Sequence, residues 1–115
     1  MKRDDTVYLK HIFDAIERTQ EYLAGVSYDQ FAQSHLLQDG VVRQLEIIGE
    51  AARNISEVFK KVHAELPWDK MVGMRNRLIH AYFAVNLPIV WDTAQTDLPP
   101  LRQQIARILA SRAEG

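Results

Sequence analysis

The 115-residue chain contains no cysteine, has no long apolar run and carries a formal net charge of only -1. Without cysteine it can form neither a disulfide framework nor a thiolate zinc site, which favours a reducing compartment, and we expect a cytoplasmic protein. Acidic residues directly after the first two basic ones argue against a signal peptide, and no later stretch is apolar enough to span a membrane. The balanced charge excludes a protein that coats nucleic acid through its overall field, but not a local basic site.

The chain does contain enough apolar residues for a core, since 47% of its residues are hydrophobic. We therefore predict a single domain over residues 1–115. The sequence shows neither the alternation typical of strands nor internal repeats or Gly/Ser linkers. The predicted fold class is all-α, a bundle of four or five helices.

The first two helices are indicated by spacing and by caps. Apolar residues at helical intervals predict a long helix from Asp4 or Asp5 to about Ala24, with acids at its start and Gly25 just past its end. Ser27 and Gln30 stand in the pattern of a capping box. This box should open a short helix carrying Phe31 and Leu36.

A longer apolar seam follows Asp39, in alternating steps of four and three residues, and predicts one central helix of about six turns ending near Phe59. Gly49 lies within it. Since glycine lowers helix propensity by about 1 kcal/mol relative to alanine, we expect a neighbouring helix to approach closely there. The seam consists of Val41, Leu45, Ile48, Ala52, Ile55 and Phe59.

The prolines divide the second half of the chain. Pro67 precedes a helix that should run through MVGMRNRLIHAYF, residues 71–83. Pro88 suits the first turn of the next helix, and the pair 99–100 should interrupt that helix before the pattern resumes. The last residues, 110–115, are expected to fray.

The chemistry is concentrated in the segment from Arg75 to Tyr82. Metal-independent RNA cleavage needs a base that titrates near neutral pH and a fixed cation beside the phosphate. His80 can supply the first, and the planar guanidinium of Arg75 the second. Asn76 can orient the imidazole or the substrate.

Helical geometry separates these groups on one chain. At about 100° per residue, Arg75 and His80 lie about 140° apart, whereas Asn76 and His80 are about 40° apart. A compact site forms more easily if two copies of the helix meet across a two-fold axis, so we predict a homodimer with a composite cleft. Tyr82 returns to nearly the same face as Arg75, where a bulky anionic modification would block a phosphate site.

Other polar residues have simpler interpretations. Arg43, Arg53 and Arg77 could guide RNA, and Arg77 is favoured because it lies inside the segment. Glu46 and Glu50 are one turn apart, which is typical of a solvated helix face, with Glu50 as the alternative cleft residue.

Histidines and tryptophans outside the segment are also assigned structural positions. His11, His35 and His63 lack the spacing of a zinc site, so we predict no metal. Trp68 and Trp91 are interpreted as core anchors, with base stacking as the alternative.

The segment MRNRLIHAYF, preceded by QLEIIGEAARNIS and LPWDKMVG and followed by VWDTAQTDLPPL, resembles the HepT family of HEPN-domain toxins over nearly the whole chain. The family's motif is matched by Arg75, Asn76, His80 and Tyr82. The resemblance implies a HEPN-type homodimeric helical bundle and a metal-independent endoribonuclease whose catalytic residues are Arg75, Asn76 and His80.

The same resemblance implies a toxin-antitoxin pair. The partner would be an MntA-type nucleotidyltransferase that inactivates the toxin by transferring AMP from ATP to Tyr82. ATP and magnesium would then belong to the partner, and this chain would need no cofactor of its own.

Two other functions remain open from the residues. One is a dimeric docking partner and modification substrate without nuclease activity, which would keep Tyr82 but tolerate loss of His80. The other is a helical bundle that binds nucleotide or RNA in the cleft without cutting it.

Overall fold

The computed structural model describes residues 4–79 and 86–114, with the side chains of all but 75–79 and 114. Every regular element within these ranges is helical, as predicted. In chain order they are α1 (Asp5–Leu23), α2 (Tyr28–Ala32), α3 (His35–Asn54), α4 (Glu57–Val62), α5 (Trp68–Ile79), α6 (Leu87–Asp92) and α7 (Leu98–Glu114). A π-helical turn, Thr93–Asp97, joins α6 to α7. If α6 and α7 are counted as one continuous helix, the described residues form six helices, more than the predicted four or five.

The first helices begin and end where local caps place them. The Asp4 carboxylate accepts the Thr6 backbone N–H at 2.9 Å and so caps α1. Gly25 follows α1 with φ +72°, a left-handed conformation that glycine adopts without strain. Ser27 and Gln30 make both hydrogen bonds of the predicted capping box, at 2.9 and 3.1 Å.

The short helix is shorter than predicted. α2 carries Phe31, which is fully buried, but it ends at Ala32. Leu36 belongs to α3 instead and is 84% exposed. The Ser34 hydroxyl caps this new helix by accepting the Leu37 backbone N–H, so α3 begins before Asp39.

The predicted six-turn central helix is wrong at its C-terminal end, because the chain breaks after Asn54 and α4 carries Phe59. The Asp5 carboxylate on α1 accepts the Ser56 backbone N–H at 2.8 Å and the Ser56 hydroxyl at 2.7 Å. Ser56 in turn caps α4 by accepting the Phe59 N–H. A contact with α1 thus holds Ser56 outside the helix.

Aromatic contacts fix where α5 begins. Trp68 is buried, as predicted, and its indole Nε1–H donates to the His63 carbonyl at 2.9 Å. The indole also meets the Phe59 ring edge-to-face, with centroids 6.1 Å apart. Since Phe59 follows the C-terminal end of α3 by a few residues, α5 starts beside that end.

The last long helix is not interrupted by its prolines. Pro88 occupies the first turn of α6, as predicted, and Asn86 caps this helix. At the π-helical turn, the Leu98 N–H donates to the Thr93 carbonyl, one residue farther back than in an α-helix. This widened turn takes the chain into α7, so Pro99 and Pro100 lie in the first turn of α7, where a missing N–H is tolerated.

The C-terminal residues are helical to Glu114, contrary to the predicted fraying. The Arg112 guanidinium donates to the Thr6 hydroxyl at 2.6 Å and lies 3.3 Å from the Asp4 carboxylate. It also stacks over the Phe59 ring at 5.2 Å. These contacts tie the end of α7 to the start of α1.

The core lies around α3, which packs against both α1 and α5, while α7 packs against α1. Gly49 is buried on α3, and the predicted close approach of a neighbouring helix there stays a prediction. Among the residues described, no helix has the length and hydropathy needed to cross a membrane. The largest fully buried side chains include Phe31, Leu9, Ile12, Ile16, Leu45, Ile48 and Met71.

Candidate functional site

The predicted catalytic segment begins on α5. The backbone of Arg75, Asn76 and Arg77 is helical and belongs to this element. His80 and Tyr82 lie outside the described residues, as do the side chains of the other three. The roles predicted for these five residues therefore stay predictions.

The packing of α5 nevertheless places the start of the segment. Met71 is fully buried and Met74 is 8% exposed, so this face of α5 lies in the core. α5 starts close to Phe59 of α4 and packs against α3. At about 1.5 Å per residue, Arg75 is roughly 10 Å along α5 from its first residue.

Elsewhere on its surface, α3 forms a groove with α1. The groove has a volume of about 530 Å³. Its lining residues are Tyr8, His11, Arg43, Glu46, Ile47, Glu50, Ala51 and Asn54.

This groove combines an apolar floor with polar walls. Ala51 is buried and Ile47 is half-buried, whereas Arg43 is exposed and Glu46 half-buried. Tyr8 and His11 pack edge-to-face across one turn of α1, with ring centroids 6.1 Å apart. The groove therefore offers aromatic surface, hydrogen-bond donors and carboxylate acceptors within one cleft, a combination that suits a planar polar ligand.

The described histidines occupy three separate elements. His11 lies on α1, His35 is the first residue of α3, and His63 follows the last residue of α4. His63 lies 3.6 Å from Glu65 and stacks against the Phe59 ring. Within residues 4–79 and 86–114, no three histidine or acidic side chains are grouped so that they could hold a metal ion.

The other residues singled out from the sequence lie in different places in the structure. Trp91 is half-buried and packs against Phe31 and Tyr28, with ring centroids 5.4 and 5.7 Å away. Its predicted role as an anchor at the edge of the core is thus confirmed. Arg43 enters the groove, whereas Arg53 is exposed on α3 outside it.

Sequence reasoning did not single out two polar groove residues, Tyr8 and Asn54. It placed His11 at the surface, where the structure also has it, but did not assign it to a groove. The spacing of Arg43, Glu46, Glu50 and Asn54 places them along one face of α3 and could have indicated a polar stripe. Nothing in the sequence showed that α1 forms the opposite wall.

Known proteins resemble this chain over most of its length. The family model described as ribonuclease HepT-like matches residues 12–108. A protein of Thermococcus cleftensis named as a probable ribonuclease HepT is 41% identical over 108 residues, covering 94% of this chain and 98% of that protein. A putative RNase of Caldanaerobacter subterraneus subsp. tengcongensis is 41% identical over 102 residues, covering 89% of this chain and 91% of its own. No solved structure gives a significant match. Since the family model spans α5 and most of the remaining chain, this protein belongs to the HepT-like ribonuclease family.

Proposed function

We propose that this protein is an endoribonuclease that cleaves RNA without a metal ion and acts as the toxin of a toxin-antitoxin pair. The observation that carries the proposal is the family match over residues 12–108, which includes the whole Arg75–Tyr82 segment. The packing of α5 supports it, because Arg75 and Asn76 begin that segment on a helix held against α3 by buried methionines.

The proposed reaction is an attack of the RNA 2′-oxygen on the adjacent phosphorus. His80 takes the 2′-hydroxyl proton, the bond from phosphorus to the 5′-oxygen breaks, and the leaving oxygen receives a proton from an imidazolium. Arg75 neutralises the charge that builds on the phosphate oxygens, and Asn76 orients the imidazole or the substrate. The products are a 2′,3′-cyclic phosphate and a 5′-hydroxyl.

A homodimer suits this chemistry, because Arg75 and His80 would lie about 140° apart on a single helix that carried both residues. In a two-fold dimer, Arg75 of one protomer complements His80 of the other. Arg77, within the same segment, is proposed to contact the RNA backbone.

Tyr82 is proposed as the regulatory residue. A nucleotidyltransferase antitoxin of the MntA type would transfer AMP from ATP to its hydroxyl, releasing pyrophosphate. The added phosphate places negative charge near Arg75, where the RNA phosphate must bind, so the modified toxin should be inactive. ATP and magnesium serve the partner's reaction.

The decisive experiment incubates purified protein with cellular RNA in excess chelator and maps the product ends. Wild type and Tyr82→Phe should both cut RNA, leave cyclic phosphate ends and spare DNA. His80→Ala should lose at least about 100-fold in rate, the usual contribution of a general base. His35→Ala is the matched control, since His35 is exposed at the start of α3.

The outcomes separate the competing functions. Activity that survives in His80→Ala would contradict the proposed mechanism. If unmodified wild type of confirmed mass cuts no RNA but accepts AMP on Tyr82 from the nucleotidyltransferase, the docking-partner function replaces the nuclease. RNA binding without any cleavage would favour the non-cleaving bundle.

A further inference from the structure

A second groove, with a volume of about 470 Å³, lies between α4 and the first residues of α5. Lys60 and Lys61 of α4 and Lys70 of α5 line it, together with the acidic residues Glu57 and Asp69. Three lysines against two carboxylates make this surface basic in a chain whose formal net charge is -1. Local positive charge of this kind attracts the phosphate backbone of a nucleic acid.

Two of the three lysines are available to a ligand. Lys60 forms an ion pair with Glu57 at 3.6 Å, and its side chain is only 16% exposed. Lys61 and Lys70 are exposed, and within the part of the chain that the structure describes neither forms an ion pair. Asp69 lies in the first turn of α5, where the helix dipole favours a carboxylate. Lys61 and Lys70 can therefore bind anionic groups from outside the protein.

The floor of this groove belongs to the core. Leu66 and Trp68 line the groove and are buried. The Trp68 indole is held by its hydrogen bond to the His63 carbonyl. Because packing fixes the backbone that carries the lysines, this surface needs little rearrangement to bind a ligand.

α5 itself continues the basic surface from the groove into the proposed catalytic segment. Lys70 and Arg77 are seven residues apart on this helix, which places their positions about 20° apart around it and about 10 Å apart along it. Gly73 lies between them, about 60° from Lys70 around the helix. The buried residues Met71 and Met74 mark the core face, and these three positions are turned about 70° or more from its centre. Lys70, Gly73 and Arg77 thus share one flank of α5.

The glycine on this flank is not explained by packing. A Cβ added at Gly73 would meet no heavy atom within 4 Å, although glycine inside a helix costs about 1 kcal/mol relative to alanine. A position without a side chain lets a bulky ligand approach the helix backbone closely. At about 3.4 Å or more per phosphate of one strand, the roughly 10 Å from Lys70 to Arg77 accommodates about two or three phosphates. A strand that follows the flank can therefore lie against Gly73 between two cationic positions.

We propose that the RNA substrate binds with its phosphate backbone along a basic track that starts at Lys61 in the groove, passes Lys70 and Gly73 and reaches Arg77. This inference rests on the proposed ribonuclease function and adds the surface that binds the strand beside the cleavage site. Contacts from lysine to phosphate carry no sequence information, so the basic track should raise affinity equally for different RNA sequences.

The test measures binding of 2′-O-methyl oligouridine and oligoadenosine, which cannot be cut, by fluorescence anisotropy over a range of salt concentrations. Lys61→Gln and Lys70→Gln should each weaken binding about threefold at low salt and reduce the slope of log affinity against log salt by about 0.7. The double variant should lose about tenfold for both sequences, and kcat/KM for cleavable RNA should fall by the same factor. Lys10→Gln, at an exposed position of α1 outside the groove, is the control and should bind like wild type.

A further variant tests the flank without removing a cation. Gly73→Glu places a carboxylate between the positions of Lys70 and Arg77, and glutamate is a better helix former than glycine, so α5 should persist. Repulsion of the phosphates should weaken binding at least about fivefold at low salt. Ala110→Glu adds the same charge at an exposed position of α7 and should bind like wild type.

The possible results have distinct meanings. Unchanged affinity and salt slope in the double lysine variant, or a loss confined to one of the two sequences, would overturn the basic track and leave the ribonuclease intact. Wild type that binds neither oligonucleotide and cuts no RNA would overturn the proposed function itself. If Gly73→Glu alters the molecular mass measured by light scattering, the flank holds a second copy of the chain and the basic track is wrong.

Discussion

Replacing Trp68 by phenylalanine tests what holds the start of α5, the helix on which the proposed catalytic segment begins. Trp68 is 7% exposed, donates through Nε1 to the His63 carbonyl at 2.9 Å and meets the Phe59 ring. Phenylalanine retains a ring at this position but has no donor and a smaller volume. The carbonyl then loses its indole partner, and part of the space occupied by the indole becomes empty.

The expected loss of stability follows from these contacts. Removing one partner of a partly buried hydrogen bond costs about 1–1.5 kcal/mol, and the volume removed from the core about 1–1.5 kcal/mol more. The free energy of unfolding should therefore fall by about 2–3 kcal/mol. For a chain of this length, at about 4 °C per kcal/mol, Tm should decrease by about 8–12 °C.

Urea and thermal unfolding, followed by far-UV circular dichroism, measure this loss. Trp91→Phe is the matched control, because Trp91 is half-buried and is held by ring contacts with Tyr28 and Phe31, which phenylalanine largely retains. Its loss should stay near 1 kcal/mol. A decrease below about 0.5 kcal/mol for Trp68→Phe, or one equal to that of the control, would refute the argument.

Two further predictions concern a helical glycine and a capping carboxylate. Gly73→Ala should raise the free energy of unfolding by about 1 kcal/mol, since a Cβ there meets no heavy atom within 4 Å. Gly25→Ala should lower the free energy of unfolding, because Gly25 has a positive φ. A higher Tm for Gly25→Ala than for Gly73→Ala in thermal unfolding would contradict this prediction. The backbone N–H of Thr6, then its hydroxyl and the Arg112 guanidinium, hold the pKa of Asp4 below its usual 3.8. Because the ionised form is favoured in the folded state, its stabilisation is present above the unfolded pKa and is lost as pH falls through the folded one. Asp4→Asn should thus lower Tm at pH 7, and its difference from wild type should shrink as the pH falls below about 3.8; a Tm difference independent of pH would argue against this role.

Local signals predicted the caps of the first two helices, because each cap and its partner lie within three residues. Asp4 accepts from Thr6, and Ser27 and Gln30 bond to each other, so the residues that decide the structure are read together. Pro88 predicted the start of α6 for the same reason.

Distant contacts decided the elements that were predicted wrongly. The apolar seam continues through Ile55 to Phe59, yet Asp5, 51 residues away from Ser56, holds the chain outside the helix. Similarly, Arg112 keeps the C-terminal helix ordered through Thr6 and Asp4. Helical periodicity describes one segment and contains no information about such partners.

The amino-acid sequence by itself determined the all-α class and the family, because helical periodicity, caps and the segment around Arg75 are properties of neighbouring residues. Only the tertiary structure decided that α5 packs against α3 and that Tyr8 and His11 line one groove with Arg43 and Glu46. The physical reason is that burial of Met71, Ile48 and Leu9 in a common core sets how the helices pack. Polar residues on different helices become neighbours as a consequence of that packing.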